Sequence, residues 1–96
     1  MDVIIEIPKG SNVKYELDKD LNRMRCDRIL STPMPYPFNY GYFPNTLSSD
    51  GDPLDVIVLM NLPVYPGTVI RCRIIGGIGM VDDNEEDPKI IVVPDK

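Results

Sequence analysis

Three carboxylates lie within six residues, in the segment Asp50-Gly51-Asp52-Pro53-Leu54-Asp55. In an extended strand, Asp50 and Asp52 would point to one face and Asp55 to the other. Gly51 can adopt a positive φ, and Pro53 has a fixed φ and no N–H, so we expect the chain to bend here. Carboxylates that meet at one point repel one another unless a cation joins them, which favours a site for a hard divalent metal. The alternative is a solvated turn between two strands.

The composition limits the chemistry that these carboxylates can support. The chain contains no histidine, which excludes His-based triads and histidine zinc motifs. Without His or closely spaced Cys, a soft-metal site is excluded, and oxygen ligation of Mg²⁺ or Mn²⁺ is favoured, with Lys, Arg and Tyr as donors to phosphate oxygens. The net charge of −5 argues against nucleic-acid binding through the protein's own field.

The length of 96 residues predicts a single domain, residues 1–96, and the hydrophobic content of 43% is typical of a soluble globular protein. No apolar run approaches the roughly 20 residues of a membrane helix, and the N-terminus lacks the pattern of a signal peptide. We therefore expect a cytoplasmic protein with no membrane partner. Cys26 and Cys72 are predicted to be buried, reduced core thiols.

The elements that must position the acidic residues are predicted to be strands. Apolar alternation or short continuous apolar runs predict strands over 3–7, 13–17, 23–30, 56–60, 68–75 and 90–93, with a short strand that reaches Val81. The second and third are expected to pair as a hairpin. Residues 31–49 contain four prolines and are predicted to form an irregular, aromatic-rich loop, and residues 82–87 an acidic loop. Gly76 and Gly77 predict a bulge or bend. Many short strands with Gly/Pro turns predict a small, highly bent all-β sheet, closed or nearly closed into a barrel.

With these features, the chain resembles the N-terminal part of a soluble family I inorganic pyrophosphatase of the short prokaryotic type. The family signature is an Asp-Gly-Asp-Pro-hydrophobic-Asp run, here residues 50–55. The accompanying motifs occur in the same order: Ile-Glu-Ile-Pro (5–8), Lys-Tyr-Glu (14–16), Asp-Arg (27–28), Tyr-Pro-Phe-Asn-Tyr-Gly-Tyr (36–42), Pro-Gly-Thr-Val-Ile-Arg-Cys-Arg (66–73), and Asp82 with Asp87-Pro88-Lys89. One hexapeptide is weak evidence, but this many motifs in register is specific and covers essentially the whole chain.

The resemblance implies metal-dependent hydrolysis of inorganic pyrophosphate to two phosphates, with Mg²⁺, Mn²⁺ or another divalent metal as cofactor. It implies that Asp52 lies beside the attacking water and takes its proton. The implied metal ligands are Asp50, Asp55, Asp82 and Asp87. The implied phosphate contacts are Lys14, Arg28, Tyr40 and Lys89. The residues implied to line the cavity as auxiliary groups are Glu6, Glu16 and Tyr36.

The resemblance also implies a fold, an OB-like five-stranded barrel of the pyrophosphatase type. The family pattern continues past Lys96 with more barrel and with helices, so we expect residues 1–96 to be a truncated barrel without the C-terminal helices. A homo-oligomer is expected, which is a hexamer for the full-length family. Two alternatives remain open: a catalytically weak or inactive barrel that binds metal and phosphate, or an OB-like binding module for oligonucleotides.

Overall fold

The computed structural model describes residues 1–31, 36–44, 46, 53–79, 81–82, 85–86 and 88–95. The regular elements in this part of the chain are nine strands: β1 (Asp2–Ile7), β2 (Val13–Asp18), β3 (Arg23–Ile29), β4 (Asn39–Tyr42), β5 (Asp55–Val58), β6 (Val69–Ile78), β7 (Val81–Asp82), β8 (Glu85–Glu86) and β9 (Lys89–Pro94). Within these ranges, no helix is long and apolar enough to cross a membrane.

Five of the strands close into a barrel in the order β1-β4-β5-β9-β6, with β6 pairing back onto β1. The neighbouring strands are antiparallel except β5 and β9, which run parallel. The predicted all-β fold and five-stranded barrel are confirmed. Closure satisfies the backbone groups that an open sheet would leave at its edges.

The barrel interior is filled by alternate residues of its strands. The fully buried apolar side chains, each at most 3% exposed, are Val3, Ile5, Ile7, Phe43, Val56, Val58, Cys72 and Val92. Burying a side chain of this size contributes about 1.5–3 kcal/mol to folding. Because successive side chains on a strand point to opposite faces, the residues between these core positions point outward.

Strand β4 lies inside the segment that was predicted to be irregular, so that prediction is wrong for Asn39–Tyr42. The four prolines lie outside these residues and leave a stretch free to pair with β1 and β5. The inward positions are Asn39 and Gly41, so apolar alternation gave no strand signal. A Cβ at Gly41 would overlap the carbonyl oxygen of Ile4 and lie 3.1 Å from the Ile5 Cα, so the close approach of β1 requires glycine here.

The hairpin of β2 and β3 forms a separate two-stranded sheet, which confirms the predicted pairing. Its turn is organised by Asp18, whose carboxylate accepts hydrogen bonds from the backbone N–H groups of Asp20 and Leu21 at 3.0 and 3.1 Å. Most of β3 is exposed. Cys26 is therefore exposed, and the prediction that it is a buried core thiol is wrong, whereas Cys72 is buried as predicted. A two-stranded sheet cannot cover both of its faces.

The predicted bulge near Gly76 is confirmed in β6. Ile74 pairs with Val92 and Gly76 pairs with Ile91, so Ile75 is the extra residue. Beyond β6, strands β7 and β8 pair with each other over two residues. The prediction of a loop over residues 82–87 is therefore wrong at Asp82 and at Glu85–Glu86, because these residues satisfy their backbone groups by pairing as strands.

Candidate metal and phosphate site

The outer wall of the barrel brings together residues that are distant in sequence. Tyr42 of β4 pairs with Asp55 of β5, and Asp55 pairs with Lys89 of β9. Directly paired residues share a face, and their neighbours Gly41, Val56 and Ile90 lie toward the core. The three polar side chains therefore lie in one row on the outside of the barrel.

Lys89 connects two other predicted site residues on this wall. Its Nζ donates hydrogen bonds to Asp55 Oδ2 at 2.8 Å and to the Tyr40 hydroxyl oxygen at 2.9 Å. The ammonium also lies 5.3 Å from the centroid of the Tyr40 ring. The side chain of Lys89 is only 14% exposed and that of Asp55 is 32% exposed. The structure thus brings Tyr40, Asp55 and Lys89 into direct contact across strands β4, β5 and β9.

Burial raises the pKa of the Tyr40 hydroxyl well above its ordinary value. The hydrogen bond from Lys89 opposes this shift, and the charge of Asp55 adds to it. Tyr40 therefore stays protonated at neutral pH. While its oxygen accepts a hydrogen bond from Lys89, its own proton can be donated to an anion or a water.

Tyr36 flanks Tyr40 on the side of the turn after β1. The two rings meet edge to face, with centroids 5.5 Å apart and planes at 84°. The backbone of Tyr36 is anchored to this turn, since its carbonyl accepts from Gly10 N at 2.7 Å and its N–H donates to Ser11 O at 3.1 Å. The predicted auxiliary residue Tyr36 is thus held beside Tyr40 by backbone bonds as well as by ring contact.

Glu6 lies where β1 bulges in its pairing with β4, on the outer side of the strand. Burial raises the pKa of Glu6 to about 7, Lys14 lowers it, and Asp55, Glu16 and Asp27 raise it. These interactions place the predicted residues Lys14 and Glu16 of β2 within electrostatic reach of the barrel wall. The hairpin and the wall therefore contribute charges to one region, in which carboxylates predominate.

Arg28 occupies a different environment from Lys89. It pairs with Lys14 across the hairpin, its Nε donates to Asp27 Oδ2 at 3.1 Å, and its side chain is 62% exposed. Among the described residues, the side-chain bond of Arg28 is thus to its own neighbour in the chain. To make its predicted phosphate contact, Arg28 must either break this hydrogen bond or bind the phosphate with the guanidinium nitrogens that Asp27 does not use.

Several predicted residues lie outside the described part of the chain. These are Asp50, Asp52 and Asp87, and for Asp82 only the backbone position in β7 is described. In the part of the chain that is described, no three His, Cys, Asp or Glu side chains lie close enough to hold a metal. The donors that are described are carboxylate oxygens, which suit Mg²⁺ or Mn²⁺. The contact of the Asp55 carboxylate with an ammonium further indicates that this position favours a cation.

Two residues were missed by the sequence interpretation. Tyr42 lies in the row with Asp55, and burial, then Glu6 and Glu16, raise the pKa of its hydroxyl. The two-residue spacing of Tyr40 and Tyr42 is the signal that could have identified it.

Asn39 is the second missed residue, and it has no local signal in the sequence. Its side chain is fully buried, its Oδ1 accepts from Lys9 N at 2.8 Å and Val64 N at 3.3 Å, and its Nδ2 donates to Leu62 O at 2.8 Å. The amide thereby joins three segments at the start of β4. It fixes the strand that carries Tyr40 and Tyr42.

In the described part of the chain, a closed five-stranded barrel carries a carboxylate, a lysine and a tyrosine that are joined by hydrogen bonds on its outer wall. The family model for inorganic pyrophosphatase matches residues 3–96. The chain belongs to the inorganic pyrophosphatase family.

Individual relatives agree in sequence and in fold. An inorganic pyrophosphatase of Sulfolobus acidocaldarius is 53% identical, covering 98% of this chain and 54% of the relative. One of Xylella fastidiosa is 57% identical, covering 98% and 53%. The solved structure of an inorganic pyrophosphatase from Coxiella burnetii has a TM-score of 0.88 and 52% identity, covering 98% of this chain and 56% of that one. The enzyme from Thermus thermophilus has a TM-score of 0.90 and 43% identity, covering 100% and 55%. The chain spans about half the length of the curated relatives it matches.

Proposed function

We propose that this chain supplies the metal-dependent site at which inorganic pyrophosphate is hydrolysed to two phosphates. The observation that carries the proposal is the contact of Lys89 with Asp55 and Tyr40 on the outer wall of a barrel of this family. The ammonium of a largely buried lysine side chain and a protonated phenol are donors for phosphate oxygens, and the adjacent carboxylate is a ligand for a divalent cation.

The ligands that we propose for Mg²⁺, or for Mn²⁺ in its place, are Asp50, Asp55, Asp82 and Asp87. When bound, such metals neutralise the substrate and lower the pKa of a water toward neutrality. Asp52 accepts the proton of the attacking water as general base. Asp55 is rigidly placed for its role, because its strand is hydrogen-bonded to β4 on one side and to β9 on the other.

The phosphate oxygens are bound by Lys14, Arg28, Tyr40 and Lys89. Lys89 has the most effective position, because its side chain is only 14% exposed and a charge-assisted bond is stronger where water is excluded. Arg28 reaches the substrate from the exposed hairpin. Three auxiliary residues support these groups. Glu6 and Glu16 contribute negative charge to the region, and Tyr36 packs against the Tyr40 ring.

A second candidate is a barrel that binds metal and phosphate through the same residues but turns over weakly or not at all. This candidate shares the site and differs only in the rate.

We propose that the chain acts in the cytoplasm as a homo-oligomer. Several apolar side chains are strongly exposed, among them Leu21 at 61%, Ile29 at 70%, Leu62 at 69% and Tyr65 at 85%. Exposed apolar area of this kind favours self-association.

Phosphate release from pyrophosphate, followed with and without Mg²⁺, tests the proposal. Asp52→Asn keeps the shape of the side chain and removes the base, so we expect release to fall about 100-fold or more with an unchanged circular dichroism spectrum. Asp2→Asn is the matched control, because it makes the same chemical change outside the proposed site. The Asp2 side chain is half exposed, and its Oδ1 lies 3.7 Å from Arg71 Nε. Equal rates for Asp52→Asn and the parent would overturn the base assignment. A parent that binds Mn²⁺ but releases no phosphate would establish the second candidate.

A further inference from the structure

We propose that Lys89 is an internal counter-cation that a metal must displace from Asp55, and that the displaced ammonium then binds the phosphate. The proposal rests on the proposed function, since it concerns the same site. Lys89 thus acts on metal binding before substrate arrives. In the metal-free chain Lys89 neutralises a ligand carboxylate and thereby weakens metal binding.

The geometry places the ammonium on a carboxylate oxygen that a metal would use. Lys89 Nζ lies 2.8 Å from Asp55 Oδ2, which is a full charge-assisted hydrogen bond. The two residues are paired directly in the parallel register of β5 and β9, so the contact is built into the barrel. A cation bound at this oxygen at metal–ligand distance leaves no room for the ammonium in its present place.

The surrounding charges explain why a cation is held here. Burial and the carboxylates of Asp55, Glu16 and Asp27 raise the pKa of Glu6, and Lys14 opposes them. The region is therefore acidic, and an unpaired Asp55 would be costly in it. Lys89 relieves that repulsion, and an arriving divalent cation relieves it more strongly while repelling the ammonium.

Tyr40 is the residue that we expect the ammonium to stay bonded to when it leaves Asp55. Its hydroxyl oxygen already accepts a hydrogen bond from Lys89 at 2.9 Å, and its ring lies 5.3 Å from the ammonium. Rotation of the Lys89 side chain about its stem can preserve this second contact while the first is broken. The ammonium then stays on the same wall with donors directed outward, toward an anion.

Linkage makes the effect reciprocal: if metal weakens the bond between Lys89 and Asp55, that bond weakens metal binding by the same factor. Removal of the Lys89 charge should therefore tighten metal binding. If Lys89 instead served only as a phosphate donor or as a structural support, its removal would leave the metal affinity unchanged or reduce it.

The test is the dissociation constant for Mn²⁺ of the whole chain, measured by electron paramagnetic resonance of free Mn²⁺ without substrate. Lys89→Met is expected to bind Mn²⁺ about tenfold more tightly than the parent, the size of effect expected for a partly buried charge. Lys89→Arg keeps the charge and should stay within about twofold of the parent. Lys19→Met removes the same charge from an exposed position of the hairpin turn and should also stay within about twofold.

Asp55→Asn distinguishes a failure of the counter-cation proposal from a failure of the proposed metal site. If it weakens Mn²⁺ binding while Lys89→Met does not tighten it, the counter-cation proposal is overturned and the proposed metal site stands. If the parent binds no Mn²⁺, or Asp55→Asn binds as well as the parent, the metal role of Asp55 is overturned and the counter-cation with it.

A second measurement does not depend on the folding of a variant. The ¹⁵N resonance of the Lys89 ammonium in the parent chain is followed during titration with Mg²⁺, which is diamagnetic. We expect its shift to move and its coupling to the Asp55 carboxylate to disappear as metal binds. A resonance that is unchanged at saturating Mg²⁺ would overturn the proposal.

Discussion

The barrel wall and the β2–β3 hairpin both carry predicted site residues, but they hold them by different means. Asp55 lies on a strand with a partner on each side, and its carboxylate is bonded to Lys89. In the part of the chain that the structure describes, Lys14 and Arg28 lie on strands that pair with each other alone, in a two-stranded sheet. The wall therefore fixes a carboxylate and an ammonium at a defined distance, whereas the hairpin presents cations on a lightly supported element.

In the described part of the chain, Met24 of β3 connects the hairpin to the segment that precedes β6. Met24 packs over Gly67, whose φ is +85° and whose position could not accept a Cβ without crowding the Met24 sulfur at 3.2 Å. The bond from Leu30 N to Asn12 O, at 2.7 Å, closes the base of the hairpin itself. The comparison predicts that substitutions in the wall cost folding and metal binding together, and that substitutions in the hairpin affect mainly ligand contacts.

The largest effect on stability is expected from Gly41→Val in the wall. The new Cβ would overlap the backbone of Ile4 in β1, which cannot move without opening the barrel. We expect a loss of about 3 kcal/mol or more in the free energy of unfolding, measured with urea. Gly76→Ala is the control, because nothing lies within 4 Å of a Cβ there, and it should change stability by less than about 0.5 kcal/mol. Equal effects of the two would contradict the close approach of β1 and β4.

The next effect compares a fully buried polar residue of the wall, Asn39, with a partly buried one of the hairpin, Asp18. Asn39→Ala leaves the Lys9 and Val64 N–H groups and the Leu62 carbonyl without their partner, so we expect a loss of about 2–4 kcal/mol. Asp18→Ala also removes bonds, including the one from Arg25 Nη2 at 2.6 Å, but these bonds lie at the surface, where water can replace them. Thermal unfolding of both variants should show the larger shift for Asn39→Ala, and the reverse order would refute the comparison.

Glu6 tests the electrostatic link between wall and hairpin. Its pKa is about 7 in the folded chain against an ordinary value of 4.5. The folded state binds the proton of Glu6 more tightly than the unfolded state does. The contribution of Glu6 to the free energy of unfolding is therefore greatest below pH 4.5 and is lost as the pH rises through about 7. Glu6→Gln should remove this part of the pH dependence of urea unfolding.

Lys14 lowers the pKa of Glu6, so Lys14→Met should raise it further. The carboxyl ¹³C shift of Glu6, titrated in both proteins, measures this directly. A pKa that does not move, or that falls, would place the hairpin out of electrostatic reach of the wall.

The smallest effect on stability is expected for Arg28→Gln. The side chain is 62% exposed and bonds to the neighbouring Asp27, so the free energy of unfolding should change by less than about 0.5 kcal/mol. Binding of inorganic phosphate in the presence of Mg²⁺, measured by calorimetry, should nevertheless weaken. Undiminished phosphate affinity would remove Arg28 from the proposed site.

The strands that the sequence predicted are those whose inward positions are apolar. Val3, Ile5 and Ile7 alternate with outward residues and identify β1, and the pairing of β2 with β3 follows from adjacent alternating runs. Strand β4 could not be found in this way, since Asn39 and Gly41 point inward for reasons that lie in β1 and in the connector after β5. Exposure of Cys26 likewise depends on its two-stranded sheet, which a strand pattern does not reveal.

The candidate site was found through motifs and not through physical pattern. Asp55 and Lys89 are 34 residues apart, and only the parallel pairing of β5 with β9 makes them neighbours. A pattern of apolar residues predicts strands but does not predict their order in a barrel. The resemblance supplied the residues, and the register supplies the reason that they meet.

The most direct test of the central claim is phosphate release from pyrophosphate with Mg²⁺ by the parent, by Asp55→Asn and by Asp2→Asn. Both substitutions remove one carboxylate, but only Asp55 lies in contact with Lys89 on the wall, whereas Asp2 is 50% exposed beside Arg71. We predict a loss of about 100-fold for Asp55→Asn and a rate within about twofold of the parent for Asp2→Asn. Equal rates for the three proteins would contradict the assignment of the barrel wall as the site of hydrolysis.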